Sequence, residues 1–251
     1  MDLLEQLDAS TRIITPNQRL AATLLQQHNK PHKQQTWLTP KITPIAIWLN
    51  LLWQDYIFKT PLTLLTTHQE QLIWREIITS TSGQHNILNP KQTAKIANQA
   101  FHSLKQWQLD PADKQLIFGE NCDIARKWSE TFINYCHENK LIDSSSAWQT
   151  LSSDTDFLAY IAEKKIIFYN FLELSPAQSH LIQQLKKANV DVKLHKQENI
   201  NTSVMRLEFI DNDAEIAHMA KWAKKMLDEN KHQHIACVVP NLHQSREIVL
   251  R

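Results

Sequence analysis

Residues 165–185, KIIFYNFLELSPAQSHLIQQL, restrict the folds open to this chain more than any other stretch. Ile166, Ile167, Phe168 and Tyr169 form a continuous apolar run, and a strand apolar on both faces suits the inside of a parallel sheet. A helix is expected directly after it. Ser175 reads as its N-cap, Pro176 fits the first turn, and Gln178 completes a Ser-x-x-Gln capping box. Strand, short loop and capped helix are the parts of nucleotide-handling α/β sheets, whose chemistry collects at the C-terminal ends of the strands. Tyr169, Asn170, Phe171, Leu172 and Glu173 occupy that place here. A phosphate-and-magnesium site needs adjacent carboxylates, and only Glu173 is one.

Glycine narrows the function further, because the chain has only Gly83 and Gly119. Loops that cradle phosphate need glycine to turn sharply and bring backbone amides close. Neither glycine stands in a GxxxxGK[ST] or GxGxxG context, so a Walker A loop and a dinucleotide fingerprint are both missing. No cofactor is expected. Metal ligation is not expected either: His28 and His32 are four apart but straddle Pro31, and His232 and His234 lack a cysteine or carboxylate cluster at ligand spacing. Ser144-Ser145-Ser146 has no glycine elbow. With Asp143 it reads as a loop and helix cap, so no catalytic residue is assigned.

A formal net charge of +1 creates no global field toward nucleic acid or membrane, which leaves room for a local basic groove. Cys122, Cys136 and Cys237 are far apart and suit buried, inert thiols in a reducing compartment. No apolar run approaches the roughly 18–20 residues of a membrane span. The acidic start MDLLEQLDAS lacks the features of a secretory signal. A cytoplasmic protein without a membrane partner is expected.

Three sections follow from the periodicities: an α/β part over 1–60, an all-helical insertion over 61–155, and the rest of the α/β domain over 156–251. In the first, Arg12–Thr15 is a strand, Asn17 caps a helix carrying Leu20, Ala21, Leu24 and Leu25, and Thr43-Pro44 opens a second helix. In the middle, Thr67-x-x-Glu70 reads as a capping box, Asn89-Pro90 starts a helix through Trp107, and a third helix spans about Cys122 to Asn139. In the last, strands are expected at 190–195, 204–210 and 234–239, with Asp211 or Asp213 capping a long helix between the last two. Pro240-Asn241 begins a helix that runs to Arg251, and a chain ending inside an element points to a longer protein. The first and third sections are expected to share one sheet.

Trp48, Trp74, Trp107, Trp128 and Trp222 fall on or beside apolar helix faces and read as core. Trp37 lies in a polar loop near Pro40, where an indole can pack on the domain surface or stack on a base. Lys186, Lys187, Lys193 and Lys196 cluster near one sheet end, and Lys221, Lys224 and Lys225 line a helix. Such runs read first as solvated faces and second as phosphate contacts.

The segment from Ile166 to Leu185 resembles motif II of superfamily 1 helicases of the UvrD/RecB/AddA kind. Phe171, Glu173, Gln178, Leu181 and Leu185 match that motif, while Tyr169 and Asn170 stand where it has its magnesium-binding Asp and catalytic Glu. Residues 13–21, IITPNQRLA, followed by Trp37, Pro40, Pro44, Trp48 and Leu49, resemble the N-terminal part of AddB/RecC-like subunits. Residues 212–216 with Ala220, Trp222 and Ala223, then 235–242, resemble the region that opens their second motor-like domain. The resemblance implies a degenerate P-loop-NTPase-like domain with a helical insertion, an inactivated helicase-like region of a probable DNA repair protein. In that family a PD-(D/E)XK nuclease domain is expected downstream of such a region.

What it implies for function is a non-catalytic scaffold that holds single-stranded or forked DNA and positions a partner helicase or nuclease subunit. Asn17, Arg19 and Trp37 are the DNA contacts expected, at loops on the sheet's C-terminal edge. The competing expectation is a helical protein-interaction module on an α/β base with no nucleic-acid role. An active NTPase, with Glu173 as its remaining acid, is disfavoured by the missing glycines.

Overall fold

The computed structural model describes residues 8, 10–29, 39–81, 89–113, 119–161, 163–196, 204–232, 234–240 and 242–250. The chain divides into two compact units, Met1–Glu198 and Asn199–Arg251, each described by itself. In chain order the first unit has β1 (Thr11–Thr15), α1 (Gln18–Asn29), β2 (Lys41–Pro44), α2 (Ile45–Tyr56), β3 (Thr63–Leu64) and α3 (Thr67–Thr81). It continues with α4 (Pro90–Gln106), α5 (Glu120–Glu138), β4 (Leu141–Ile142), α6 (Ser144–Ser153), α7 (Thr155–Tyr160), β5 (Lys165–Tyr169), α8 (Pro176–Lys187) and β6 (Asp191–His195).

The fold is α/β, built on a four-stranded sheet in the order β2-β1-β5-β6 whose pairings are all parallel. Its two central strands are apolar on both faces, as the continuous runs require. Alternate residues separate two layers. Ile14, Ile166 and Phe168 join Trp48, Leu52, Leu151, Leu158, Leu181 and Leu185 in the larger core, beneath α2, α6, α7 and α8. Ile13, Ile42 and Ile167 face the other way, against Ala21 and Leu24 of α1. β1 and β2 of the first section and β5 and β6 of the third share one sheet, whereas residues 199–251, expected in the same domain, belong to the separate second unit. At its N-terminal end, buried Glu163 binds Arg12 at 2.6 Å, and Arg12 also donates to Thr43 at 2.8 Å, tying β1 to its neighbours.

The caps of α1, α4, α6 and α8 fall where the sequence puts them. Asn17 Oδ1 accepts the Leu20 amide, Asn89 accepts Gln92, and Asp143 accepts Ser145 and Ser146. Around Ser175 and Gln178 the full capping box forms. Ser175→Ala is therefore expected to cost about 1 kcal/mol, read as a shifted urea midpoint with an unchanged slope.

Several expectations are corrected. Thr43 and Pro44 do lead into helix α2, with Pro44 at its N-cap position, but they also end strand β2, which was not expected; proline has no N–H, so a strand's terminal edge residue tolerates it. The middle section is not all-helical, since β3 and β4 form a parallel two-residue ladder, Thr63 with Leu141 and Leu64 with Ile142. Two residues are too few to show alternation. The capping box of α3 sits one residue earlier, with Thr66 and Gln69 exchanging bonds. Glu70 is thereby released and turns inward.

A second core lies among α3, α4 and α5. Trp74 stacks on Phe132 with ring centroids 4.8 Å apart and meets Phe101 edge-on at 5.6 Å. Trp48, Trp74 and Trp128 are buried as expected, but Trp107 and Trp222 are exposed. Trp107 sits past the last turn of α4, off its packed face. Cys136 is buried, and burial pushes its thiol up to about 12, with Asp143 and Glu70 adding to the shift. Cys122 and Cys237 are exposed instead.

The second unit holds α9 (Asn212–Glu229) and α10 (Leu242–Val249). Asp211 caps α9 through the Ala214 amide, and Asn212 donates to Ser245 at 3.2 Å. The strands expected at 204–210 and 234–239 are not formed among the described residues. Alternation records an amphipathic pattern, but a strand also needs a hydrogen-bonding neighbour. No described residue supplies one, and Val204 and Ile210 stay 89% and 100% exposed. Among the described residues, no helix is long and apolar enough to cross a membrane.

Candidate functional site

The C-terminal rim of the sheet is where the sequence places its functional residues, and three loops meet there. β1 runs into Pro16 and Asn17, β5 into Asn170, and β6 into Lys196. Tyr169 and His195 pair in register on adjacent strands, and their rings stack at 5.0 Å with planes 14° apart. Asn170 has φ 56°, in the left-handed region that asparagine tolerates better than most residues. Its amide donates to the His195 carbonyl at 2.7 Å. The two positions thus have local structural roles, an aromatic contact and a turn. Neither presents a carboxylate.

Glu173 is exposed beyond the turn, and Gln178 is occupied by its cap, with Oε1 accepting the Ser175 amide at 3.0 Å. Asn17 spends its side-chain oxygen on α1, whereas Arg19 is exposed in the first turn of that helix. Trp37 lies outside the described residues. Asn17 and Arg19 share the rim with Tyr169 and Asn170. Among the described residues, no group of three or more His, Cys, Asp or Glu side chains is arranged to hold a metal ion.

Compared with known family models and with curated proteins, the chain matches none.

A second feature was not legible as a site. A cavity of about 520 Å³ opens between the first turns of α2, α3, α6 and α8 and the end of α4, lined in part by Asn50, Glu70, His102, Lys105, Ser145 and Gln178. On its wall, Glu70 is almost fully buried and accepts bonds from three groups on two elements, α4 and α6. His102 Nε2 lies 2.7 Å away, Asn98 Nδ2 3.2 Å and the Ser144 amide 3.2 Å. A carboxylate only accepts, so Nε2 carries a proton. His102 Nδ1 is 2.7 Å from Ser145 Oγ and 3.9 Å from Asp143.

Burial works against the charge on both partners, yet their mutual hydrogen bond and attraction outweigh it. Glu70 is held below its usual range, and His102 is raised above its own, with Asp143 contributing to the rise. The pair ties α3, α4 and the start of α6 into one frame around the cavity. A signal was present in the sequence: Glu70 recurs with Trp74, Ile77 and Ile78 on the buried stripe of α3, and Asn98 with Ala94 and Phe101 on that of α4. Polar residues inside two apolar stripes pair with each other.

Proposed function

We propose that this chain is a non-catalytic, helicase-like DNA-binding and scaffold region of a bacterial, cytoplasmic repair protein of the helicase-nuclease kind. It would serve recombination and double-strand break processing by holding single-stranded or forked DNA and positioning a partner helicase or nuclease subunit. The observation that carries this reading is the end of β5. There a parallel α/β frame, with its capped helix in place, carries Tyr169 and Asn170 where a motor of the resembled family has its two acids. Binding without hydrolysis needs only backbone contacts and stacking, which the rim can offer through Arg19 and its aromatic side chains.

Fluorescence anisotropy with single-stranded and forked oligonucleotides tests the proposal. Affinity is expected to fall linearly with salt on logarithmic axes. Arg19→Ala should weaken every sequence alike and reduce the slope by about 1. Absence of binding to either DNA at low salt would sink the reading. ATP turnover that disappears in Glu173→Gln would replace it with a motor.

The protein-interaction reading draws on a different observation. Phe58, Tyr160 and Trp107 are large aromatic side chains exposed on the first unit. A stable protein complex formed by a chain that ignores DNA would favour it.

A further inference from the structure

The sheet's two faces are covered unequally. α1 packs over β1 and β2 and reaches Ile167 of β5. On that same face β6 presents Asp191, Lys193 and His195, with the first two exposed and the imidazole half-buried. Among the described residues β6 is also the sheet's edge, so the face of His195 turned away from Tyr169 meets no further described strand of this sheet.

That ring is held firmly. Tyr169 supports one face in an offset, near-parallel stack, and the Asn170 amide fixes the His195 carbonyl from the neighbouring strand. Lys193 lies two residues back on the same face, about 6.6 Å along the strand, and Lys196 follows at the rim. β1 lies two strands away, about 10 Å across the sheet, and Arg19 follows it in the first turn of α1. Asp191 is at the far end of β6, about 13 Å from His195, while exposed Glu173 is the nearer acid, lining the same small pocket as His195 and Lys196.

We propose that the Tyr169–His195 stack, with the Lys193 ammonium beside it, is a seat for one unpaired base of single-stranded DNA and its phosphate. The proposal rests on the DNA-binding reading and names the chemistry that reading uses. A base laid on the open face of His195 extends the existing stack by one ring. The lysines and Arg19 supply cations on the same rim for the backbone. Stacking of this kind tolerates any base and rejects paired ones, whose faces are already covered. It also gives Tyr169 a use in the position where an ATPase has an acid. Edge lysines have another role, which is to deter pairing between exposed sheet edges. A test must separate the two.

Binding of the full chain is measured for a thymidine oligonucleotide and for an abasic strand of equal length, which carries the same phosphates without bases. The native chain is expected to prefer the thymidine strand by about 5- to 150-fold. His195→Ala should abolish that preference while leaving abasic binding unchanged, and His195→Tyr should restore it. Lys193→Gln should weaken both strands equally and lower the salt slope by about 1. If His195→Ala leaves the preference intact, or weakens the two strands alike, the base seat is wrong and DNA binding stands. If Lys193→Gln changes only self-association, the lysine is an edge guard and no part of the seat. If the native chain binds neither strand at low salt, both the seat and the DNA-binding reading fall.

Discussion

Replacing Glu70 with alanine is expected to lower the free energy of unfolding by about 3–5 kcal/mol. The substitution leaves the buried His102 Nε2–H, the Asn98 amide and the Ser144 N–H without their acceptor. Glu70→Gln keeps an acceptor but loses the charge, and should cost about 1.5–3 kcal/mol. The pair also sets a pH dependence. Glu70 is depressed below its ordinary 4.5, so its contribution is complete above that value and disappears as pH falls through the folded value. His102 is raised above 6.5, so its contribution is complete below 6.5 and disappears as pH rises through the folded value. The network is therefore strongest between about pH 4.5 and 6.5. Urea melts across pH should show stability declining above that window, and His102→Gln should flatten the decline. A Glu70→Ala loss below about 1 kcal/mol would mean the network does not hold the helices together.

A comparable loss, about 3–5 kcal/mol, is expected for Trp74→Ala. Trp74 is fully buried where α3, α4 and α5 meet, stacked on Phe132 and edge-on to Phe101. Alanine there opens a cavity walled by aromatic rings, which are too rigid to collapse into it. Trp74→Phe should be much milder, about 1–2 kcal/mol. The indole N–H is buried without a hydrogen-bond partner among the described residues, so phenylalanine removes an unsatisfied donor along with some volume. Equal losses for the two variants would contradict this. The midpoint and slope of urea unfolding measure both.

The contrast between β5–α8 and β2 shows where sequence reading works. Ile166–Tyr169 is apolar throughout because both its faces are covered, and Ser175 and Gln178 each carry a distinct capping role. Those signals are local. β2 is an edge strand of four residues, paired on one side and closed by proline, and its identity depends on β1 beside it. The ladder of β3 and β4 depends in the same way on residues far along the chain. Residues 204–210 show the converse, a pattern suited to a strand with no described neighbour to pair with. Of the candidate site, the rim and Arg19's exposure follow from strand ends and helix starts. The Tyr169–His195 stack could not be read, because it requires knowing that β5 and β6 align residue for residue. Glu70 looks like a box partner for a related reason: Thr67-x-x-Glu70 repeats, one residue on, the spacing of the true box Thr66-x-x-Gln69.

The bond between Arg12 and Glu163 spans 151 positions. β1 is central in the sheet but leaves the ribosome long before β5, its neighbour. The contacts of α3 with α4 and α5 are much closer in sequence, and local contacts form faster than distant ones. During synthesis the helical layer can thus consolidate while β1 and β2 still show bare apolar strand to solvent, open to wrong pairing. Proline at the end of β2 then limits pairing along that edge of a sheet whose last strands are the last to arrive. The order in which the chain is made, as well as its final packing, bears on how safely it folds.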